Sequence, residues 1–395
     1  MLRYFSLANM TAGFVAVMVG FTSSAVIVFQ AAIMAGATSK EISSWLFALG
    51  MSMAITCIGL SLRYRIPILT GWSTSGAALL VTSLSGITMP EAIGAFIFAA
   101  LLTTLAGITG IFEKLIRHIP PTLTSAMLAG ILFHFGMNVF VAMQNQFSLV
   151  FPMLLTYLLG KRFCPRYGIL LVLVIGILVA KVEGLFHVTH FSLSLPSPIF
   201  TMPVFSFATL ISVGLPLFIV TMTSQNVPGI AILRASGYQP PFSSLISWTG
   251  ITNLLLAPFG SFSICLTAMT AAICCSKEAD NDPERRYKAT IFGGICWLLI
   301  GLFGVTVVTL YQNLPQELIL ALAGLALFST IASSLKTALE EDVHREPAII
   351  TILVSASGIS LFGIGAAFWG LIAGVVSSTL LNWSKKHTTE LLMAP

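Results

Sequence analysis

The chain has 395 residues, of which 56% are apolar and only 8% charged, with a mean hydropathy of +0.96. A soluble domain carries roughly 25% charged residues, so the composition excludes a water-covered globule and predicts a polytopic membrane protein. The formal charge of +5 is then no sign of nucleic-acid binding; its meaning lies in which loops hold the lysines and arginines.

Met1-Leu2-Arg3 runs into a long apolar stretch with no small-residue cleavage site, which reads as a retained first helix. Apolar runs bounded by charge, Pro or Gly predict fourteen crossings. They fall near 12–36, 43–61, 66–84, 90–112, 120–141, 148–160, 167–183, 205–232, 242–256, 257–275, 289–311, 315–335, 347–365 and 367–383. The runs at 148–160 and 242–256 are short. With a cytoplasmic N-terminus and strict alternation, every Lys and Arg except Lys40 and Lys181 falls inside, which also puts the C-terminus in the cytoplasm.

The two halves resemble each other. Val19-Gly20 recurs as Val213-Gly214, Gly107 and Gly110 as Gly301 and Gly304, and Pro121 with Leu128-Ala129-Gly130 as Pro315 with Leu322-Ala323-Gly324, all 194 residues apart. Small residues suit close helix packing wherever it occurs, but the shared offset favours a repeat. Seven spans per half is odd, so the second copy is inverted, an architecture of secondary transporters with the substrate site at the repeat interface. The expected fold is an all-α membrane protein with a 7+7 inverted repeat, its halves being 1–199 and 200–395.

Spans three and ten are broken. The third, IPILTGWSTSGAALLVT, holds Pro67, Gly71, Trp72, Ser73, Thr74 and Ser75; the tenth holds Pro258, Gly260, Ser261, Phe262 and Ser263. Their alignment at an offset of 189–191 implies a small indel. Pro and Gly disfavour helix, and Ser and Thr favour N-caps. Each segment is therefore expected to be an extended piece followed by a half-helix, one from Trp72 and one from Ser261. A helix from Trp72 to Leu84 is about 20 Å long at 1.5 Å per residue, short of the roughly 30 Å core. Two facing N-termini of roughly +0.5 charge each match a monovalent anion, and no Lys, Arg, Asp or Glu is evident at the midplane.

TMTSQNVPG at 221–229 adds Ser224, Gln225 and Asn226, adjacent polar groups that are costly in a span unless paired; pairing between helices is the structural alternative. Ser24 and Gln30 in span one rank below them, because helical hydroxyls can bond their own backbone. Phe29, Trp72, Phe259 and Phe262 are candidates for an aromatic wall. His134 is the ionisable residue clearly inside a span, and Glu91 and Glu317 near the outer span ends are further proton-carrying candidates; a hydrogen-bonded structural role suits His134 equally. The six cysteines read as reduced packing residues, and Glu340-Glu341-Asp342 with His344 reads as a solvated linker rather than a metal site or an enzyme's centre. No cofactor, metal or nucleic acid is expected.

GFTSSAVIVFQAA (20–32), TGWSTSGAAL (70–79), TSQNVPGIAILRASGY (223–238) and APFGSFSICLTAMTAAIC (257–274) together resemble the benzoate membrane transport protein family of benzoate:proton symporters, over nearly the whole chain. The family is similar in fold to uracil permeases and sulfate carriers. The resemblance implies a core domain of spans 1–4 and 8–11 (about 1–118 and 205–312) and a gate domain of spans 5–7 and 12–14 (about 119–187 and 313–385). It implies a substrate between half-helices three and ten. Nucleobase carriers of this fold place acids near the site, whereas Ser224, Gln225, Ser263 and Ile264 stand here, which favours an anion. The expected function is import of benzoate or a similar aromatic carboxylate with a proton across a bacterial inner membrane, the chain acting as a monomer or homodimer. A nucleobase or inorganic-anion carrier is the alternative.

Overall fold

The computed structural model describes residues 5–110, 121–163, 168–185, 195–361 and 364–392. Of the lysines, arginines and cysteines counted above, Arg3, Lys114, Arg117, Cys164 and Arg166 lie outside the described residues, as do the side chains of Lys385 and Lys386.

The chain is mostly helical. α1 (Leu7–Met34) and α2 (Ser39–Tyr64) start at capping boxes, Ser6 with Asn9 and Thr38 with Glu41. A three-residue strand β1 (Thr70–Trp72) leads into α3 (Thr74–Ser83), followed by α4 (Met89–Thr109), α5 (Pro121–Asn145), α6 (Phe147–Phe163) and α7 (Gly168–Val182). The helix α8 runs over Phe207–Ala235 and contains two π-helical turns, Leu210–Gly214 and Met222–Asn226. After it come α9 (Phe242–Leu256), strand β2 (Ile264–Leu266) and α10 (Met269–Cys275). Then follow α11 (Tyr287–Leu302), α12 (Gly304–Gln312), α13 (Gln316–Ala338), α14 (Arg345–Ala356), a short hairpin of β3 (Ser360–Leu361) and β4 (Ile364–Gly365), and α15 (Ala366–Leu392).

Among the described residues α1, α2, α4, α5, α8 and α13 are long and apolar enough to cross a membrane; α11 and α12, bent by 64° at their junction, make a seventh if taken as one span. The expected run at 289–311 is thus broken at Phe303. The expected run at 347–365 stops as helix at Ala356, where Gly358 turns the chain with φ +68° into the hairpin.

Two groups of helices emerge from the packing. α1 packs on α3 and α11, α2 on α11, and α4 on α9 and α8. α5 packs on α13 and α14, α14 on α15, and α6 on α7. Close backbone approach is achieved with small residues. A Cβ on Gly107 of α4 would sit 2.4 Å from the Ser247 amide of α9, and one on Gly301 of α11 would sit 3.3 Å from Gly50 of α2.

Candidate functional site

Strands inside an apolar bundle must satisfy each other's backbone, and β1 and β2 do. They pair antiparallel with Thr70 opposite Leu266, Gly71 opposite Cys265 and Trp72 opposite Ile264. The ladder extends through Ser73 N to Ser263 O (3.0 Å) and Thr267 N to Leu69 O (3.1 Å). Two amides that face out of the ladder find side chains. Thr70 N donates to Cys57 Sγ at 3.2 Å, and Leu266 N donates to Asn226 Oδ1 at 2.8 Å.

Ser73 caps α3, its Oγ accepting from Gly76 N at 3.0 Å while its carbonyl accepts from Ala77 N. The Thr74 and Ser75 amides remain at the helix start without an acceptor among the described residues. The second half-helix differs from expectation, because it starts at Met269 rather than Ser261. Residues 263–267 are committed to the strand ladder and cannot also be helical. Gly260 turns the chain with φ +104°. Ser261 Oγ donates to Asn253 Oδ1 at 2.7 Å and meets Ser52 Oγ at 3.1 Å instead of capping a helix. The central strand pair, Gly71 and Cys265, lies 194 residues apart, the same spacing as the other sequence matches between the halves. An offset of 194 carries Thr74 to Ala268, next to the observed start of α10.

One cavity of about 980 Å³ is lined by both helix groups. On one side stand Gly20, Thr22, Ser23 and Ser24 of α1, Gly71, Trp72 and Thr74, the α8 stretch from Thr223 to Gln225, Thr267, Ala268 and Thr270 at the start of α10, and Trp297 of α11. Opposite them stand Thr124 and Ser125 of α5, Tyr157 and Lys161 of α6, and a hydroxyl stripe on α13, Ser329, Thr330, Ser333, Ser334 and Thr337.

The cavity thus gathers Ser24, Trp72, Thr74, Ser224 and Gln225 from the expected set. Trp72 Nε1 donates to Ser24 Oγ at 2.7 Å, which fixes the indole. Gln225 Nε2 donates to Ser75 Oγ at 3.0 Å, and Ser224 Oγ donates to Val220 O at 2.6 Å within its own helix. The π turn at Met222–Asn226 lets two adjacent amides serve different neighbours, Gln225 the cavity wall and buried Asn226 the strand. Gly260, Ser261, Phe262 and Ser263 do not line the cavity. Phe262 is 0% exposed and packs with Trp45 and Phe96, and Ser263 Oγ pairs with Thr221 Oγ1, which donates to Ser73 Oγ. Gln30 is also outside the lining.

The expected aromatic wall is only partly right. Phe29 meets Tyr311 in a tilted contact and Phe259 meets Phe200 edge-on, away from the cavity. Trp72 instead faces Trp297 at a ring distance of 5.0 Å. Trp297 is 3% exposed, and its Nε1 has no hydrogen-bond partner among the described residues. None of the expected proton carriers lines the cavity. His134 Nε2 sits 2.7 Å from Ala356 O, Glu91 closes a capping box with Thr88, and Glu317 lies in the first turn of α13. Glu341 pairs with His344 and Asp342 with Arg345 within the loop before α14. Sequence reasoning missed Trp297, Lys161 and the α13 hydroxyls; the last carried a signal in their three- and four-residue spacing.

A model of the benzoate membrane transport protein family matches residues 3–380. The chain belongs to that family. It is thus a membrane transporter by family, and two curated relatives fit. The chain is 49% identical to the inner membrane protein YdcO of Escherichia coli K12, over 96% of this chain and 98% of that protein. It is 39% identical to the benzoate membrane transport protein of Acinetobacter baylyi, over 95% of each. In fold, this family member is similar to the transmembrane domain of the cyanobacterial bicarbonate transporter BicA, with a TM-score of 0.62 at 12% identity over 93% of this chain and 97% of that one. It is also similar to SLC26A9, with a TM-score of 0.63 at 13% identity over 96% of this chain and 66% of that one.

Proposed function

We propose that this chain imports benzoate or a closely similar aromatic carboxylate across a bacterial inner membrane, together with a proton, by alternating access. The observation that carries the reading is a single cavity in which the start of α3 adjoins two indoles and no Asp or Glu stands among the described lining residues. The carboxylate takes the Thr74 and Ser75 amides, where the helix dipole supplies roughly half a positive charge. The aryl ring lies against Trp72 and Trp297, and the unpaired Trp297 Nε1 is a spare donor. Membership of a family whose Acinetobacter baylyi relative is named for benzoate transport agrees with this.

We read the elements as fourteen segments in two inverted sets of seven, with both termini cytoplasmic. The core comprises α1–α4 with α8–α12, and the gate comprises α5–α7 with α13–α15. Three features support the reading: the strand pair centred on residues 194 apart, the matched roles of Gly107 and Gly301 at the α4–α9 and α2–α11 contacts, and a cavity between the two helix groups. An aryl carboxylate entering alone opposes a negative-inside potential at about 2.3 kcal/mol per 100 mV. A proton carried in the same cycle cancels that cost.

Uptake of radiolabelled benzoate into proteoliposomes tests this. Saturable uptake, stimulated by an inside-alkaline gradient and unaffected by excess uracil or sulfate, is the expected result. No benzoate uptake, with uptake of radiolabelled uracil or sulfate under the same conditions, replaces the substrate with a nucleobase or an inorganic anion.

A further inference from the structure

Lys161 is the charged residue among the described lining of the cavity. Its Nζ donates to Ser329 Oγ at 2.9 Å and to Tyr157 OH at 3.4 Å, and it lies 5.6 Å from the centre of the Tyr157 ring. All of these neighbours are neutral, and no carboxylate among the described residues lies within ion-pair distance of it. An ammonium has three donors, and these partners account for two.

Its depth matters. A lysine in the last turn of a helix usually faces that helix's own carbonyls or bulk water. Here α6 has only 17 residues, and its last turn reaches the middle of α13 rather than its end. Tyr157 packs edge-on against Phe328, 5.7 Å away, and Phe328 in turn lies near Gly136 at mid-length of α5. Lys161 is exposed, and a cation on a cavity wall with neutral neighbours and no counterion attracts an anion. Along the same face of α13, Thr330, Ser333, Ser334 and Thr337 continue the lining with hydroxyls.

We infer that Lys161, with Ser329 and the Tyr157 hydroxyl, forms a second anion subsite on the wall opposite α3, where the substrate carboxylate pauses between the indole pair and the cavity mouth. This rests on the reading of the substrate as a carboxylate. The subsite belongs to α6 and α13, so it serves the side of the membrane to which the cavity opens. Lys161 therefore sets the affinity from that side more than from the other.

The test is benzoate flux in both directions in proteoliposomes, for the wild type and for Lys161→Gln, Lys161→Arg and Ser329→Ala. For Lys161→Gln the half-saturating benzoate concentration on the cavity side rises roughly five- to tenfold, as for loss of a charge-assisted bond, and rises less on the opposite side. The steep weakening of wild-type affinity with added salt flattens in this variant. Lys161→Arg retains most of the affinity, and Ser329→Ala loses part of it. Equal rises on both sides, or an unchanged salt dependence in Lys161→Gln, overturns the subsite. A wild type that carries no benzoate at all overturns the substrate reading instead.

Discussion

Gln225 and Asn226 are neighbours with opposite duties. Gln225 lines the cavity and reaches the Ser75 hydroxyl at the start of α3, whereas Asn226 is buried and holds the β2 backbone. Replacing Gln225 with Leu leaves Ser75 without its donor and puts an apolar branch at the proposed carboxylate position. Benzoate uptake is expected to fall at least about tenfold, the worth of roughly 1.4 kcal/mol, at an unchanged amount of membrane-inserted protein; unaltered uptake removes Gln225 from the site. Arg286 acts from a distance. It is 8% exposed and donates from Nη1 to Cys275 O, the end of α10, and from Nε to Asp280 O, both at 2.8 Å. Asn9 of α1 ties the same loop through Ala279 O at 2.7 Å. A cation there neutralises the negative end of α10 and satisfies buried carbonyls. Arg286→Gln is expected to cost about 2 kcal/mol of stability, seen as a lower melting temperature in detergent together with weaker uptake. Arg286→Lys, with a point charge in place of the planar fork, is expected to recover only part of both.

The strand pair is what holds the two half-helices in register, and α8 is pressed directly onto it. A Cβ on Gly229 would lie 2.7 Å from Leu266 Cβ and 2.9 Å from Leu266 O. Gly229→Val therefore pushes α8 off β2 and breaks the Asn226 bond. It is expected to lower the melting temperature and abolish uptake, while Gly59→Ala, at a glycine with nothing within 4 Å, changes neither. The first broken segment was legible from its residues because its signals are local: Gly71 precedes a Ser73 cap that closes on Gly76. The second was misread because Gly260, Ser261 and Ser263 imitate a helix start while their hydroxyls serve a buried network with Ser52, Asn253 and Thr221. A short apolar run such as Ile264–Leu266 does not distinguish strand from helix by periodicity; its partner 194 residues away decides. Likewise α10 begins after Ala268 with no side-chain cap to announce it. Lys161 was hidden among loop cations because nothing local tells how short α6 is.

A carrier that works by alternating access must expose its cavity to one side at a time, and on the proposed topology this cavity faces the cytoplasm. The cavity reaches Pro121, Ile273 and Thr337, the ends of α5, α10 and α13 nearest the cation-rich loops. His134 is exposed and tied to Ala356 O, so His134→Gln is expected to retain stimulation by a pH gradient; its loss would return the proton to the imidazole. The exposure of the cavity itself is tested with thiol reagents. The five described cysteines are all buried, so a Cys164→Ser background gives a quiet baseline. In that background, Ser333→Cys in the cavity and Arg285→Cys in the loop after α10 should react with a membrane-impermeant maleimide only from the cytoplasmic face, and Lys40→Cys, between α1 and α2, only from the outside. Benzoate should slow the reaction at Ser333→Cys and leave the other two unchanged, because only the first lies on the substrate's path. Reaction of Arg285→Cys and Lys40→Cys from the same face would sink the fourteen-segment reading, since no odd number of crossings would then separate them.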